Sequence, residues 1–285
     1  MVVVKCSAVQ KMERKYSAEL EILLDDVVTH ITNFLTRSDW FAFQLVSKQF
    51  LRCARKRNLT AIRPDLDDLI RVCGDGAISS VKLLLGHYKM DPSTTDNFAI
   101  RHASISGHPE VVALLLADPR VDPSATENYA IRYASEYGWN KVVVLLLADP
   151  RIDPSANENF AIRYASEYGH HEVVALLLAD PRVDPSARNN EAFRTASVKG
   201  NHAVVALLLA DPRVDPSALD NAAIRWACDE GHHKVVALLL ADPRVDPAAD
   251  TNYAIRVASE YGHCEVVALL LADPRVDNNY ALRWR

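Results

Sequence analysis

Residues 159–189 read NFAIRYASEYGHHEVVALLLADPRVDPSARN, and close copies of this stretch follow one another down most of the chain. A leucine triplet marks the register, beginning at Leu83, Leu114, Leu145, Leu176, Leu207, Leu238 and Leu269, always 31 residues apart. A period in the range of roughly 20–50 residues signals a stacked array, not one globular core. Arrays of this kind mostly bind. Because the copies are nearly identical, the positions at which they differ are where specificity can reside.

One copy can be read as two helices. From Asn128, whose side-chain oxygen is expected to cap the first turn, Ala130, Ile131 and Ala134 fall at helical spacing. Gly138 supplies a left-handed stop. A second helix follows and ends at Ala148-Asp149-Pro150, because proline lacks the N–H and disfavours helix in the residue before it. A loop of the form D-P-R-V/I-D-P-S leads to the next copy. Each helix should span about eight to ten residues, fewer than the roughly 12–15 needed for stability alone in water. Stacking of the Val-Val and Leu-Leu-Leu runs on neighbouring copies must stabilise them.

The helix pair resembles the ankyrin repeat, whose pattern T-P-L-H-x-A-A-x-x-G-H-x-E-V-V-x-L-L-L aligns without a gap on Phe160–Leu178. Tyr/Phe-Ala-Ile-Arg replaces the Thr-Pro-Leu-His tetrapeptide, and the period is 31 residues against the usual 33. The resemblance implies an all-α ankyrin solenoid of seven helix pairs over residues 58–285. Its first pair, Leu66–Leu85, is degenerate, as a capping repeat would be, and Asn279–Arg285 forms a truncated C-terminal helix.

An arginine peculiar to this variant recurs at Arg101, Arg132, Arg163, Arg194, Arg225 and Arg256, and a loop acid at Asp122, Asp153, Asp184, Asp215 and Asp246. The arginines either tie their helix to the loop or form an anion-binding track. The first reading is preferred, since the acids would neutralise a track whose charges, roughly 10 Å apart, are already screened at cellular salt. The bulky residue after each arginine (His102, Tyr133, Tyr164, Thr195, Trp226, Val257) is expected to pack between first helices.

Residues 1–65 carry no trace of the repeat. Leu23, Leu24, Val27, Val28, Ile31, Phe34 and Leu35 form an apolar band at helical spacing, and two further short helices are expected from Trp40 and from Ser47. This stretch is similar to an F-box, L-P-x-E-[IL]-L-x-x-I-[FL]-x-x-L followed by V-[CS]-[KR]-x-[WF]. Leu23 takes the first leucine, Asp26 the acid, Val27 and Val28 the apolar pair, Ile31 and Leu35 the helix end, Val46-Ser47-Lys48 and Phe50 the closing element. Leu24 stands where proline is usual, and Thr32 where a bulky apolar residue is usual. The chain thus divides into a tail (1–18), a three-helix F-box-like module (19–57) and the repeats (58–285).

An F-box docks on the Skp-family adaptor of a cullin–RING ubiquitin ligase. The resemblance implies Leu23, Leu24, Val27, Ile31, Leu35, Val46 and Lys48 as adaptor-facing residues, with the array holding a target protein. The alternatives are that the apolar band only caps the array, and that the chain is an ankyrin scaffold or inhibitor with no ligase link. By the family's pattern, target contacts fall on loop tips and on the two residues before each helix-stop glycine: Glu136, Tyr137, Asn157, Glu167, Tyr168, Arg188, Glu260 and Tyr261. Near-identical Asp-Pro-Arg repeats behind an F-box are similar to proteins of giant DNA viruses or of protists, so a host cell is one expected setting.

Composition excludes other classes. A net charge of −5 argues against a nucleic-acid groove. Five scattered cysteines suggest no disulfide framework. No secretory leader or membrane span is legible, which favours the cytoplasm or nucleus. Arg52, Arg55, Lys56 and Arg57 suit a helix C-terminus or a nuclear-import signal. His170-His171 and His232-His233 are adjacent and so point to different helix faces, which is not a metal-ligand spacing. Cys228 occupies a slot held elsewhere by serine and reads as a packed residue. No catalytic constellation, metal site or cofactor is expected.

Overall fold

The structure, a computed structural model, describes residues 66–277. The F-box-like residues Leu23, Leu24, Val27, Ile31, Leu35, Val46 and Lys48, and the truncated helix from Asn279, lie outside the described residues.

The described residues form fourteen helices in seven pairs, with no strand among them. The pairs are α1 (Leu66–Gly74) with α2 (Ile78–Gly86), α3 (Thr94–Ile105) with α4 (Pro109–Leu116), and α5 (Ala125–Glu136) with α6 (Asn140–Leu147). Then come α7 (Ala156–Glu167) with α8 (His171–Leu178), and α9 (Ala187–Val198) with α10 (His202–Ala210). Last are α11 (Ala218–Asp229) with α12 (His233–Ala241), and α13 (Ala249–Glu260) with α14 (Cys264–Ala272).

Two compact units are present. One contains residues 66–72 and Ala77–Met90; the other contains Cys73–Gly76 and the described residues from Asp91 onward. In the first, Leu69, Val72, Val81 and Leu84 are fully buried, and the Ala77 N–H donates to the Val72 carbonyl at 3.0 Å.

In the second unit each helix packs on its partner, first helices stack on first helices, and second helices stack on second helices. The core is the repeat itself: Ile100, Ile131, Ile162, Phe193, Ile224 and Ile255 from the first helices, with the Val-Val pairs and central leucines of the second, all buried except the half-buried Val267 of the last pair. Burying each such side chain stabilises by about 1.5–3 kcal/mol. That is the term which makes helices this short persist. The glycine stop is as the sequence predicts, with Gly138 at φ +77°. A Cβ there would also meet the His170 ring of the next repeat at 2.5 Å, so packing as well as backbone conformation demands glycine.

The loop differs from expectation. Asn128 does not cap its helix through its side chain; it and the two residues before it, Thr126 and Glu127, adopt left-handed conformations with φ between +56° and +59°. The same three-residue turn recurs in every first helix from α3 to α13. Left-handed backbone costs a non-glycine residue roughly 1–2 kcal/mol, so one turn costs several. Two groups offset this. The Arg132 guanidinium donates from Nε to the Glu127 carbonyl at 2.8 Å and from Nη2 to the Thr126 carbonyl at 3.0 Å. Asn128 Oδ1 accepts the Asp153 N–H of the following loop at 2.8 Å. Arg101, Arg163, Arg194 and Arg225 repeat the two-carbonyl grip. The arginine ladder therefore ties helix to loop. At the last described repeat, Arg256 Nε is buried with no acceptor.

The loop acids do not pair with that ladder. Asp153 instead accepts the Ser155 N–H at 2.9 Å and its hydroxyl at 2.6 Å, closing a local turn. A second arginine set, within D-P-R, pairs at both carboxylate oxygens of Asp118, Asp149, Asp180, Asp211, Asp242 and Asp273. From the third repeat on, this arginine also reaches backward: Arg151 Nη1 donates to the Val121 carbonyl at 2.7 Å and Arg182 Nη1 to the Ile152 carbonyl at 2.7 Å.

Arg132→Lys keeps the charge but cannot bridge two carbonyls, so thermal unfolding should show a loss of roughly 2 kcal/mol. Glu127→Gly relieves one left-handed residue and should stabilise by up to about 1 kcal/mol; a loss instead would rule out the turn described. The side chains of Arg120, Arg151, Arg182, Arg213, Arg244 and Arg275 hold their aspartates below the usual carboxylate range. A lowered folded-state value means stability that is present above the unfolded value and lost as pH falls through the folded one. Melting temperature should therefore stay level down to about pH 5 and fall below about pH 4.

Candidate protein-binding surface

Six of the eight predicted target-binding residues sit where each first helix ends. Their side chains project there because the two positions before the stop glycine lie on the last helical turn, beyond an Ala-Ser pair whose alanine is buried. Tyr137, Tyr168 and Tyr261 are the exposed large apolar side chains of these turns, at 50%, 55% and 62%. Glu136 and Glu167 are half-buried and Glu260 is exposed.

The structure brings four of them together. Burial, and then the nearby Glu167 carboxylate, push the Glu136 carboxyl above its ordinary value. Glu136 Oε2 is buried with no hydrogen-bond partner. The Tyr168 hydroxyl is raised first by the Glu136 carboxylate and further by Glu167 and Tyr137. Two carboxylates and two tyrosines thus form one patch, with Lys199 reaching Glu167 at 4.0 Å on one side. Glu260 and Tyr261 repeat the pair three registers away, about 30 Å at typical helix spacing. Val198-Lys199 and Asp229-Glu230 stand between.

Asn157 and Arg188 are at the opposite end of their helices, in the left-handed turns, and both are exposed. Asn157 lends its carbonyl to Arg163 at 3.3 Å. Arg188 pairs with Glu158 at 3.3 Å and Glu191 at 3.0 Å.

Two further features lie along the first helices. The residue after each ladder arginine is buried only at Val257; Tyr133, Tyr164 and Trp226 are half-buried. Tyr133 stacks on Tyr129 of its own helix at 4.1 Å and leans on Phe160 of the next at 5.6 Å. The ladder arginines lie between these rings, Arg132 at 5.1 Å from Phe160 and Arg101 at 5.2 Å from Tyr129. The expectation of packing between first helices therefore holds in part, because one edge of each ring stays in solvent.

The second is a cross-repeat bond at the residue after each glycine. His108, His170, His232 and His263 meet a first-helix C-terminal carbonyl of the preceding repeat through Nε2 at 2.8–2.9 Å. Trp139 Nε1 does the same to Ile105 at 2.8 Å, and Asn201 Nδ2 to Glu167 at 2.8 Å. The first histidine of each pair is thus a structural hydrogen bonder. Trp139, 40% exposed, was not singled out from the sequence, although the register alone shows it in a histidine slot.

Cys228 is fully buried, and burial pushes its thiol far above its ordinary value. Among the described residues no cluster of histidine, cysteine and acid could hold a metal ion, and no helix is long and apolar enough to cross a membrane.

The family model described as Ankyrin repeats (3 copies) matches at residues 102–189, 131–220 and 192–280, together more than half of the chain. The chain belongs to the ankyrin-repeat family. No curated protein sequence matches it. Ankyrin-repeat proteins are generally non-enzymatic binding scaffolds, and the repeats imply protein partners. It departs from the usual repeat in the shortened loop, which here forms a left-handed turn and no strand among the described residues.

The raised Glu136 carboxyl carries a pH prediction. A carboxyl raised on folding disfavours the folded state where it is charged, and that penalty vanishes once pH falls below the unfolded value. Glu136→Gln should therefore raise the melting temperature slightly at pH 7, with the gap to wild type closing as pH drops through the glutamate range. A destabilised variant at pH 7 would contradict the burial of this group.

Proposed function

We propose that the chain is the target-recruiting subunit of an SCF-type cullin–RING ubiquitin ligase, holding a target protein on its ankyrin array and the Skp-family adaptor through residues 19–57. The observation that carries the target-binding half is the patch of Glu136, Tyr137, Glu167 and Tyr168: tyrosine rings half in solvent beside carboxylates, one of which keeps an unpartnered oxygen. Tyrosine gives large contact area at low entropic cost, which suits an interface. Glu260 with Tyr261, and the loop-tip residues Asn157 and Arg188, extend the same role along the array.

The adaptor half is supported by the gapless F-box pattern, in which Leu23, Leu24, Val27, Ile31, Leu35, Val46 and Lys48 face the adaptor. A specific interface of this kind buries on the order of 1,200–2,000 Å². No catalytic step is assigned to the chain, and in a virus-infected cell the same arrangement would redirect host ubiquitylation. The competing reading, a scaffold or inhibitor with no ligase link, is favoured by the family match, which begins at residue 102 and concerns the array alone.

Pull-down of a purified Skp-family adaptor by the full-length chain separates the two. Wild type should retain it at micromolar concentration and Val27→Asp with Ile31→Asp should lose it, while Tyr137→Ala with Tyr168→Ala should keep it. A wild-type chain that fails to retain the adaptor leaves the scaffold reading standing.

A further inference from the structure

We infer that the repeat containing α9 carries a seat for an acidic side chain of a partner protein, made by the Arg194 guanidinium with Leu219 and Trp226 as apolar walls. The inference rests on the protein-binding reading and is independent of any ligase link.

The array itself shows how such a seat is filled. With Nε and Nη2 on the loop carbonyls, a ladder arginine has Nη1 to spare. Arg163 Nη1 meets the Glu191 carboxylate at 2.9 Å, and Arg225 Nη1 meets Asp250 at 3.0 Å. Both acids come from the next repeat. Arg194 lies between these two in register and makes the same backbone bonds, to the Asn189 carbonyl at 2.9 Å and the Arg188 carbonyl at 3.3 Å. Its Nη1 therefore faces the same place relative to its neighbour. There the residues matching Glu191 and Asp250 are Ala222 and Leu219, and neither side chain can accept a hydrogen bond.

Arg101 and Arg132 also lack an acid, but each lies against a ring of its own helix and a ring of the next. Arg132 is only 7% exposed beside Tyr133 and Phe160, and Arg101 lies between Phe98 at 4.9 Å and Tyr129 at 5.2 Å. Arg194 is half-buried, with Trp226 at 5.5 Å. Leu219 is 51% exposed and stands at φ +53°, a conformation in which aspartate is better tolerated than leucine. An exposed leucine there is explained by neither folding nor solubility and fits a contact wall.

Charge points the same way. Residues 187–210 hold Arg188, Arg194 and Lys199 against a single acid, Glu191, in a chain whose net charge is −5. A carboxylate brought to Arg194 gains a charge-assisted bond beside apolar walls that exclude water. Tryptophan and arginine are the residues that most often anchor protein interfaces.

The test is selection of a random dodecapeptide display library on the full-length chain, followed by binding of the tightest synthetic peptide. Selected peptides should share one Asp or Glu beside an apolar residue. Leu219→Asp supplies the acid that Asp250 supplies to Arg225, so it should leave melting temperature unchanged or higher and weaken the peptide about tenfold or more, the scale of one charge-assisted bond. Ala113→Glu adds the same charge on an exposed second-helix position and should change affinity less than about twofold, the scale of a screened distant charge. Selected peptides without an acid, or equal weakening by both variants, overturn the seat alone. A chain that selects no peptide overturns the seat and the protein-binding reading together.

Discussion

Each repeat from α3 to α13 depends on holding three consecutive non-glycine residues in the left-handed region. Their cost is roughly 3–6 kcal/mol per turn. It is offset by two guanidinium-to-carbonyl bonds, about 1.5–3 kcal/mol each, and by one asparagine bond of about 1 kcal/mol. Only arginine suits the first task, because its planar fork spans two successive carbonyls that lysine would meet one at a time. Only a short side chain with a carbonyl oxygen, tolerant of positive φ, suits the second. The pairing of Asn128 with Arg132, copied down the array, follows from this one turn.

The same turn sets what each repeat can offer a partner. The Asn128 bond crosses to Asp153, the Arg151 bond returns to Val121, and the Trp139 or histidine bond reaches the preceding first helix. Each repeat is thus held to its neighbours by polar bonds at its loop, along its D-P-R segment and at its glycine turn, beside the apolar core. The exposed ends of the first helices are placed in a fixed row by these bonds. Sites then arise by substitution at a register position, without change of backbone. Glu136 and Glu167 become a patch because they occur in adjacent copies. Arg194 is open because Leu219 stands where the following copy has Asp250.

Much of this was legible in the sequence. The 31-residue register, the helix pairs, the glycine stop and the buried Val-Val and Leu runs follow from periodicity and turn chemistry. The loop was not. Asn128 was read as a helix cap because asparagine is favoured there, yet its oxygen bonds a residue 25 positions later, which local propensity cannot see. The D-P-R arginines carry no local sign of their backward reach to Val121 and its equivalents, which exists only once the repeats are stacked. Trp139 could have been found by aligning the copies column by column.

By itself, then, the sequence determined that the chain is a helical array whose information lies in departures from the copy. It did so because apolar period and glycine placement act within one repeat. The tertiary structure alone decided which departures meet one another: that Glu167 lies near enough to raise the Glu136 carboxyl and Glu136 near enough to raise the Tyr168 hydroxyl, that Arg163 and Arg225 receive carboxylates, and that Arg194 does not. Those are contacts between neighbouring repeats. Their geometry exists only once the left-handed turn has fixed the direction in which each guanidinium points.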